Sequence, residues 1–354
     1  MREFVQCLGM SPNYVKGKDM MLKVELALMA AVSACTAAFA AVGDTQVMKW
    51  ENGAKACFLL MFDDGWPSAH QVAMPELAKR GLSATYYIVP EKGEYKTQEK
   101  IWKAHAHDKG VVLGNHTMHH NKVTDYEQAM HEIGDVNTYI RSIVTNPPPP
   151  KLISWAQPGL KPGCWTISKE DMDRVLKECN LVSRPTFDGH GAVYHMQTCE
   201  QMMKLVDKAL AEGGMEYVIF HGLEHKAPWR TWQDFWAMKQ DVCFPFFDNL
   251  SELQKKGDLW VTDHISCHRY ETEFKTAKAK GGRGEKNAIV VKLTTDADPA
   301  LYDYPLTLET EVPAKWRKAT VRQGAETVTC DVKAGKVRYR AVPGKKTIFI
   351  KEAK

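Results

Sequence analysis

The chain has no close Cys-x-x-Cys pair among its 9 cysteines, which removes the usual spacing of a structural zinc ribbon or finger. It has no excess of one charge. The 47 Lys and Arg and 43 Asp and Glu are interspersed, for a formal net charge of +4, so nucleic acid is not an expected partner. It has no internal repeat at solenoid or propeller spacing. It also has no apolar run long enough to span a membrane, because the run at 26–40 is short and soon gives way to polar sequence. What is there is an ordinary globular composition, 44% hydrophobic over 354 residues. That length favours two domains, or one large barrel with an appendage.

The 26–40 run reads instead as an export signal. Met20-Met21-Leu22-Lys23 gives a short positive start, and Ala38-Phe39-Ala40 is a small-x-small cleavage pattern before Ala41. Residues 1–40 are thus an N-terminal extension plus signal peptide, and the expected location is periplasmic or extracellular. A lipid anchor at Cys35, after Val32-Ser33-Ala34, is the alternative, and no transmembrane anchor is expected. Cleavage would leave Cys57, Cys164, Cys179, Cys199, Cys243, Cys267 and Cys330, an odd number of scattered residues that read as buried free thiols.

Short apolar runs at 55–62, 84–89, 111–115, 151–155, 180–183, 216–220 and 258–262 read as strands. Helical patterns at 69–79, 125–143, 169–177, 199–211 and 246–256 lie between them. This alternation predicts an α/β fold with a parallel sheet closed or nearly closed into a barrel, over 41–270. The prolines of 146–150 mark an extended spacer. The charged, glycine-ending stretch 271–286 reads as a linker. Residues 287–354 read as a small antiparallel β domain with strands near 288–293, 304–309, 319–323, 327–332, 336–341 and 347–351. A stabilising role is expected for it; Trp316 and Tyr302 leave room for carbohydrate binding.

The chemistry concentrates in two places. The first apolar strand ends in Met61-Phe62-Asp63-Asp64-Gly65, two adjacent carboxylates that need water or a metal to compensate them. About fifty residues on comes Gly114-Asn115-His116-Thr117-Met118-His119-His120. On a helical turn, His116 and His120 would share a face. One Asp and two His form a three-ligand set that leaves a position open for water, and the spare carboxylate is a natural base. In a parallel α/β fold both clusters fall at strand C-termini, where active sites form.

Together these segments resemble the polysaccharide deacetylase family (the NodB-homology domain, carbohydrate esterase family 4). The matching pieces are Met61 to Gly65, His116 to His120, the strand Ala84-Thr85-Tyr86-Tyr87-Ile88, and a late Ile219-Phe220-His221. The resemblance covers roughly 55–262. It implies a distorted (β/α) barrel with fewer than eight units, followed here by the small antiparallel β domain. It also implies Asp63 as base, Asp64, His116 and His120 as metal ligands, Thr117 as a support of the loop, and His221 as general acid.

One motif departs. Ser154-Trp155-Ala156-Gln157-Pro158-Gly159 puts Ala156 where the family carries an arginine that steadies the base. Its loss should raise the pKa of Asp63 unless another cation replaces it. Arg184, in Val182-Ser183-Arg184-Pro185, is the candidate, and Asp188 is a candidate partner for His221. A backbone N–H near Pro158 and Gly159 would hold the oxyanion. Among Trp66, Trp155, Trp165, Trp229, Trp232 and Trp236, the segment holding Trp229 and Trp232 is the best placed to line a substrate.

The function implied is metal-dependent removal of acetyl groups from N- or O-acetylated carbohydrate. Zinc is the expected ion, with cobalt, nickel, iron or manganese as alternatives. The competing functions are a degenerate member that binds glycans without turnover, and a deformylase or deaminase on the same barrel.

Overall fold

A strand that is apolar without alternation is stable only when both its faces are covered. The run before the two aspartates is such a strand. It forms β2 (Ala56–Phe62), buried along its whole length inside a parallel sheet. The computed structural model describes residues 41–145, 149–225 and 232–353. The proposed leader with Cys35, part of the proline run, and Trp229 lie outside the described residues.

β1 (Thr45–Val47) precedes β2. The remaining parallel strands are β3 (Ala84–Ile88), β4 (Val111–Asn115), β5 (Ile153–Trp155), β6 (Leu181–Ser183), β7 (Met215–Phe220) and, further on, β10 (Leu259–Thr262). A small parallel pair, β8 (Gly222–Leu223) and β9 (Ala237–Met238), follows β7. One edge of β2 carries β7. The other is shared, with β10 opposite residues 56–59 and β3 opposite Met61 and Phe62. The order then runs β3-β4-β5-β6. After β6 the chain returns to β7, where Ala192 N–H donates to Ile219 O (2.8 Å) and Ile219 N–H to His190 O (2.9 Å). These strands make the distorted barrel of fewer than eight units. In its core Phe62 stacks between Tyr86 (5.1 Å) and Phe220 (5.0 Å), tying three neighbouring strands together.

Helices follow the strands. Cys199–Glu212 starts on a Thr198–Gln201 capping box and stops at Gly213, whose φ of 61° suits a residue without Cβ. Gln240–Lys256 begins six residues before the helix read from periodicity and runs through Pro245. Burial of Cys243, Phe246 and Phe247 outweighs the helix-interior cost of proline, roughly 3 kcal/mol. The long 125–143 pattern becomes Tyr126–Ala129, a π-turn at Met130–Gly134, and Asp135–Ile143.

The second sheet is antiparallel and eight-stranded. It holds β11 (Lys278–Arg283), β12 (Ile289–Thr294), β13 (Leu306–Glu311), β14 (Lys318–Gln323), β15 (Glu326–Lys333), β16 (Lys336–Ala341) and β17 (Ile348–Glu352), with β1 at one edge on β13. Two readings of the sequence change here. β1 lies before the barrel in the chain but pairs in this sheet. The stretch 271–286 is not a linker, because the helix His264–Thr276 fills its first part and β11 pairs with β12 over six residues. The glycines there mark close backbone approach rather than flexibility. A Cβ on Gly281 would lie 2.0 Å from Gly43 O, whereas one on Gly282 would meet nothing within 4 Å. Gly281→Val should therefore lower Tm by about 4–10 °C in a circular-dichroism melt, with Gly282→Val far milder.

Trp316 is only 5% exposed, so it is packing and not a sugar platform. Barrel and sheet meet through Trp260, which packs on Tyr270 (5.3 Å) and Tyr304 (6.3 Å). Residues 43–354 form one compact unit. Among the described residues, no helix is long and apolar enough to cross a membrane.

Candidate metal centre

β2 delivers both aspartates at its C-terminal end. Asp63 N–H continues the ladder to Phe220 O (2.8 Å), and the chain then turns sharply through Asp64 (φ 71°) and Gly65 (φ 64°). Positive φ at a non-glycine residue is uncommon and strained, and it persists where neighbours hold it. Here Trp66 Nε1–H donates to Asp64 Oδ2 at 3.0 Å.

The histidine motif is not helical. It is a loop leaving β4, with Thr117 (φ 69°) and His120 (φ 59°) both in the left-handed region. Its shape comes from hydrogen bonds. Asn115 Oδ1 accepts from Thr117 N–H (3.0 Å), and Thr117 Oγ1 accepts from His120 N–H (2.9 Å). The π-turn at 130–134 supplies the scaffold: Ile133 O accepts from Asn115 Nδ2 (2.8 Å) and Glu132 O from Met118 N–H (2.7 Å). A π-turn leaves carbonyls free of the regular i→i−4 ladder, and these two serve the loop. Glu132 also takes His119, from backbone and ring at 3.0 Å each, and so keeps it out of the cluster.

Asp64, His116 and His120 converge, with one ligand atom from each lying within 4.8 Å of the others. Asp64 Oδ1 is 3.5 Å from His116 Nε2 and 3.3 Å from His120 Nε2. Tetrahedral ligands on bonds of about 2.0–2.1 Å stand roughly 3.3–3.4 Å apart. The same Oδ1 is buried without a hydrogen-bond partner, a costly state that a cation relieves. His116 Nδ1–H is spent on Ala156 O (2.8 Å), which fixes the tautomer and leaves Nε2 to face the cluster. Burial pushes the His116 pKa down to about 4, keeping the ring neutral as a ligand requires. Burial works against the Asp64 carboxylate, but His120, His116 and Lys92 close by hold its pKa far below the carboxylate range. The residues present fit a divalent ion.

Asp63 is 3% exposed and paired in a two-pronged fashion with Arg184, Nη1 to Oδ1 at 2.6 Å and Nη2 to Oδ2 at 2.8 Å. Burial alone would raise its pKa; the Arg184 charge outweighs burial and lowers it below 3.8. The guanidinium comes from just beyond β6, the strand next to the one that ends before Ala156. Arg184 N–H donates to Trp155 O (2.8 Å), and its guanidinium carbon lies 4.8 Å from the Tyr87 ring centroid. Tyr87 OH is in turn held by Ser154 Oγ (2.7 Å), and Ser154 Oγ by His264 Nδ1 (2.6 Å).

His221 follows β7 and is 9% exposed. Burial lowers its pKa. Its Nδ1 has no hydrogen-bond partner, so Asp188 does not orient it. Asp188 is exposed, and its backbone carbonyl accepts from His190 Nδ1 (2.7 Å). Aromatic rings orient His221 instead, edge-to-face with Trp236 (4.9 Å), Phe235 (5.6 Å) and Phe187 (5.9 Å). Phe235 (47% exposed) and Tyr194 (62%), which packs on Trp236, present apolar surface around these rings, and Trp232 (51%) is exposed as well. Trp155 is buried and so is not a sugar platform. Pro158 is buried and Gly159 exposed, on the loop just past Ala156. Proline has no N–H, so of that pair only Gly159 can donate to an oxyanion.

Lys92 was not found by sequence reasoning. Its Nζ lies 3.4 Å from Asp64 Oδ1 and 5.4 Å from the Trp66 ring centroid. A single lysine after a strand carries no pattern that marks it.

Residues 51–172 match the family model described as polysaccharide deacetylase. The search of curated proteins finds no match. Solved structures with similarity include a family 4 carbohydrate esterase from Streptomyces lividans in complex with acetate, at 19% identity, TM-score 0.40, over 61% of this chain and 95% of that one. Peptidoglycan deacetylase PdaC from Bacillus subtilis is 14% identical, TM-score 0.39, over 60% and 90%. A mutant of a CE4 family pseudoenzyme with restored enzymatic activity is 13% identical, TM-score 0.41, over 61% and 68%. The family match spans β2, the histidine loop and all three convergent ligands.

Proposed function

We propose that this protein is a metal-dependent carbohydrate deacetylase, with Asp64, His116 and His120 as ligands, Asp63 as base and His221 as acid. The observation that carries the reading is the buried Asp64 Oδ1, without a hydrogen bond, facing two imidazoles beside a second carboxylate locked to an arginine. A divalent ion, zinc by its nitrogen and carboxylate ligands, would supply an acidified water and a polarised acetyl carbonyl. Cobalt, nickel, iron or manganese suit the same donors.

Asp63 takes the proton of the attacking water. Arg184 keeps it ionised and fixes the direction of both oxygens. Gly159 N–H is the candidate donor to the oxyanion. His221 gives a proton to the departing nitrogen or oxygen; burial disfavours its imidazolium, which makes that form the stronger acid. Acetate and a deacetylated sugar result. Trp232 and Phe235 would bear on the sugar faces. An export signal ending near Ala40 would put the enzyme in the periplasm or outside the cell, and N-terminal sequencing of the secreted protein should then begin at Ala41.

The test is acetate release from chitooligosaccharides, peptidoglycan fragments and acetylated xylan. Chelation should abolish release and added zinc restore it. Glycan binding without acetate would identify a degenerate binder. Formate or ammonia in place of acetate would identify a deformylase or deaminase.

A further inference from the structure

The chemistry above leaves Lys92 without a task. Its side chain is 27% exposed, and its ammonium lies 3.4 Å from Asp64 Oδ1 and 5.4 Å from the Trp66 ring centroid, at the edge of the ligand cluster. The adjacent Glu91 is engaged with Lys96 and does not neutralise it.

A count of charges shows what is left over. Asp63 and Arg184 cancel. A divalent ion on Asp64 would leave one positive charge, and that charge stays when Asp63 takes the water's proton, because the step only moves a negative charge from Asp63 to the reacting oxygen. Lys92 is then surplus. Once the ion takes Asp64 Oδ1, the ammonium also loses the carboxylate oxygen it now faces, since two cations repel strongly across so short a gap.

Lys92 stands at the foot of an aromatic wall. Trp66 stacks on Phe235 (6.4 Å), Phe235 on Trp236 (4.5 Å), and Trp236 packs on Tyr194 (5.1 Å). Aromatic faces suit the apolar faces of sugar rings, and an ammonium at the end of the wall suits an anion. We propose that Lys92 forms an anion subsite and that the substrate is an acidic glycan, with a carboxylate or sulfate close to the acetylated position. This rests on the deacetylase reading and names its substrate class.

The experiment compares acetate release from three oligosaccharides of equal length: an N-acetylglucosamine oligomer, its sulfated form, and an oligomer alternating N-acetylglucosamine with glucuronate. Wild type, Lys92→Met and Lys92→Arg are assayed with zinc. Wild type should favour at least one anionic oligomer over the neutral one by about tenfold in kcat/KM, the scale of one charge-assisted hydrogen bond. Lys92→Met should bring that ratio near one, and Lys92→Arg should keep most of it. Which anion is preferred separates carboxylate from sulfate.

Equilibrium binding of the same oligomers to Asp63→Asn protein, followed by tryptophan fluorescence, gives a readout free of turnover. Lys92→Met should weaken anionic binding about tenfold, and added salt should weaken the parent alone. A neutral oligomer used as well as both anionic ones would overturn the proposal. So would a ratio unchanged in Lys92→Met, or an effect of that variant on zinc affinity alone. Anion-selective, Lys92-dependent binding with no acetate from any glycan would sink the deacetylase reading and leave the subsite standing.

Discussion

Asp64→Asn should cut kcat/KM for acetate release by about a thousandfold or more, because the Lewis acid it would help hold is worth several kcal/mol to the transition state. Bound zinc, measured by atomic emission after dialysis, should fall well below one per chain. His116→Ala and His120→Ala should behave alike, since each removes a convergent nitrogen. His119→Ala is the control. Its ring is tied to Glu132 and outside the cluster, so zinc content should stay at one. Retention of stoichiometric zinc and full activity in Asp64→Asn would end the proposal for this site.

Arg184→Met should produce the second large effect. Asp63 would then be a buried carboxylate without its counter-ion, and its pKa should rise from its present position below 3.8. With Asp63 as base, the acidic limb of the parent should lie below 3.8, with activity falling as pH drops through it. In the variant that limb moves to higher pH, and kcat falls by about a hundredfold or more, on the scale of general-base catalysis. Stability follows the same sign. The depressed folded-state pKa contributes stability that is present above the unfolded value and lost as pH falls through the folded one. Breaking the pair should cost about 3–5 kcal/mol in urea unfolding at neutral pH. Arg184→Lys retains charge but not the planar two-pronged fit, so it should recover part of the stability and less of the rate. An acidic limb that does not move in Arg184→Met would remove Arg184 from its proposed task.

Much of this was legible in the sequence because the signals were local. An apolar run ending in two carboxylates fixes β2 and its catalytic end, and the alternation of short apolar runs with helical patterns fixes the parallel barrel. What escaped depended on contacts distant in sequence. The His116 to His120 spacing suits a helix, yet the two rings meet on a loop shaped by Asn115, Thr117 and a π-turn some fifteen residues later. The arginine missing at Ala156 was visible as a gap, and Arg184 as one candidate to fill it; only folding shows that both its forks reach Asp63. Asp188 read as a candidate partner for His221, but three aromatic rings surround that imidazole instead. Gly281 and Gly282 look like slack by composition, and only the crossing of Gly43 reveals a strand.

The pairing of Thr45 with Thr310 constrains how the molecule is made. Thr45, early in the chain, must wait for more than 250 further residues before its hydrogen bonds can close. Until then its backbone groups are an open edge, available to any other extended chain nearby. A shortened protein that keeps the barrel but stops before β13 would carry that orphaned edge permanently. Self-association of such a fragment, and its absence from the full-length chain, is the behaviour this topology dictates.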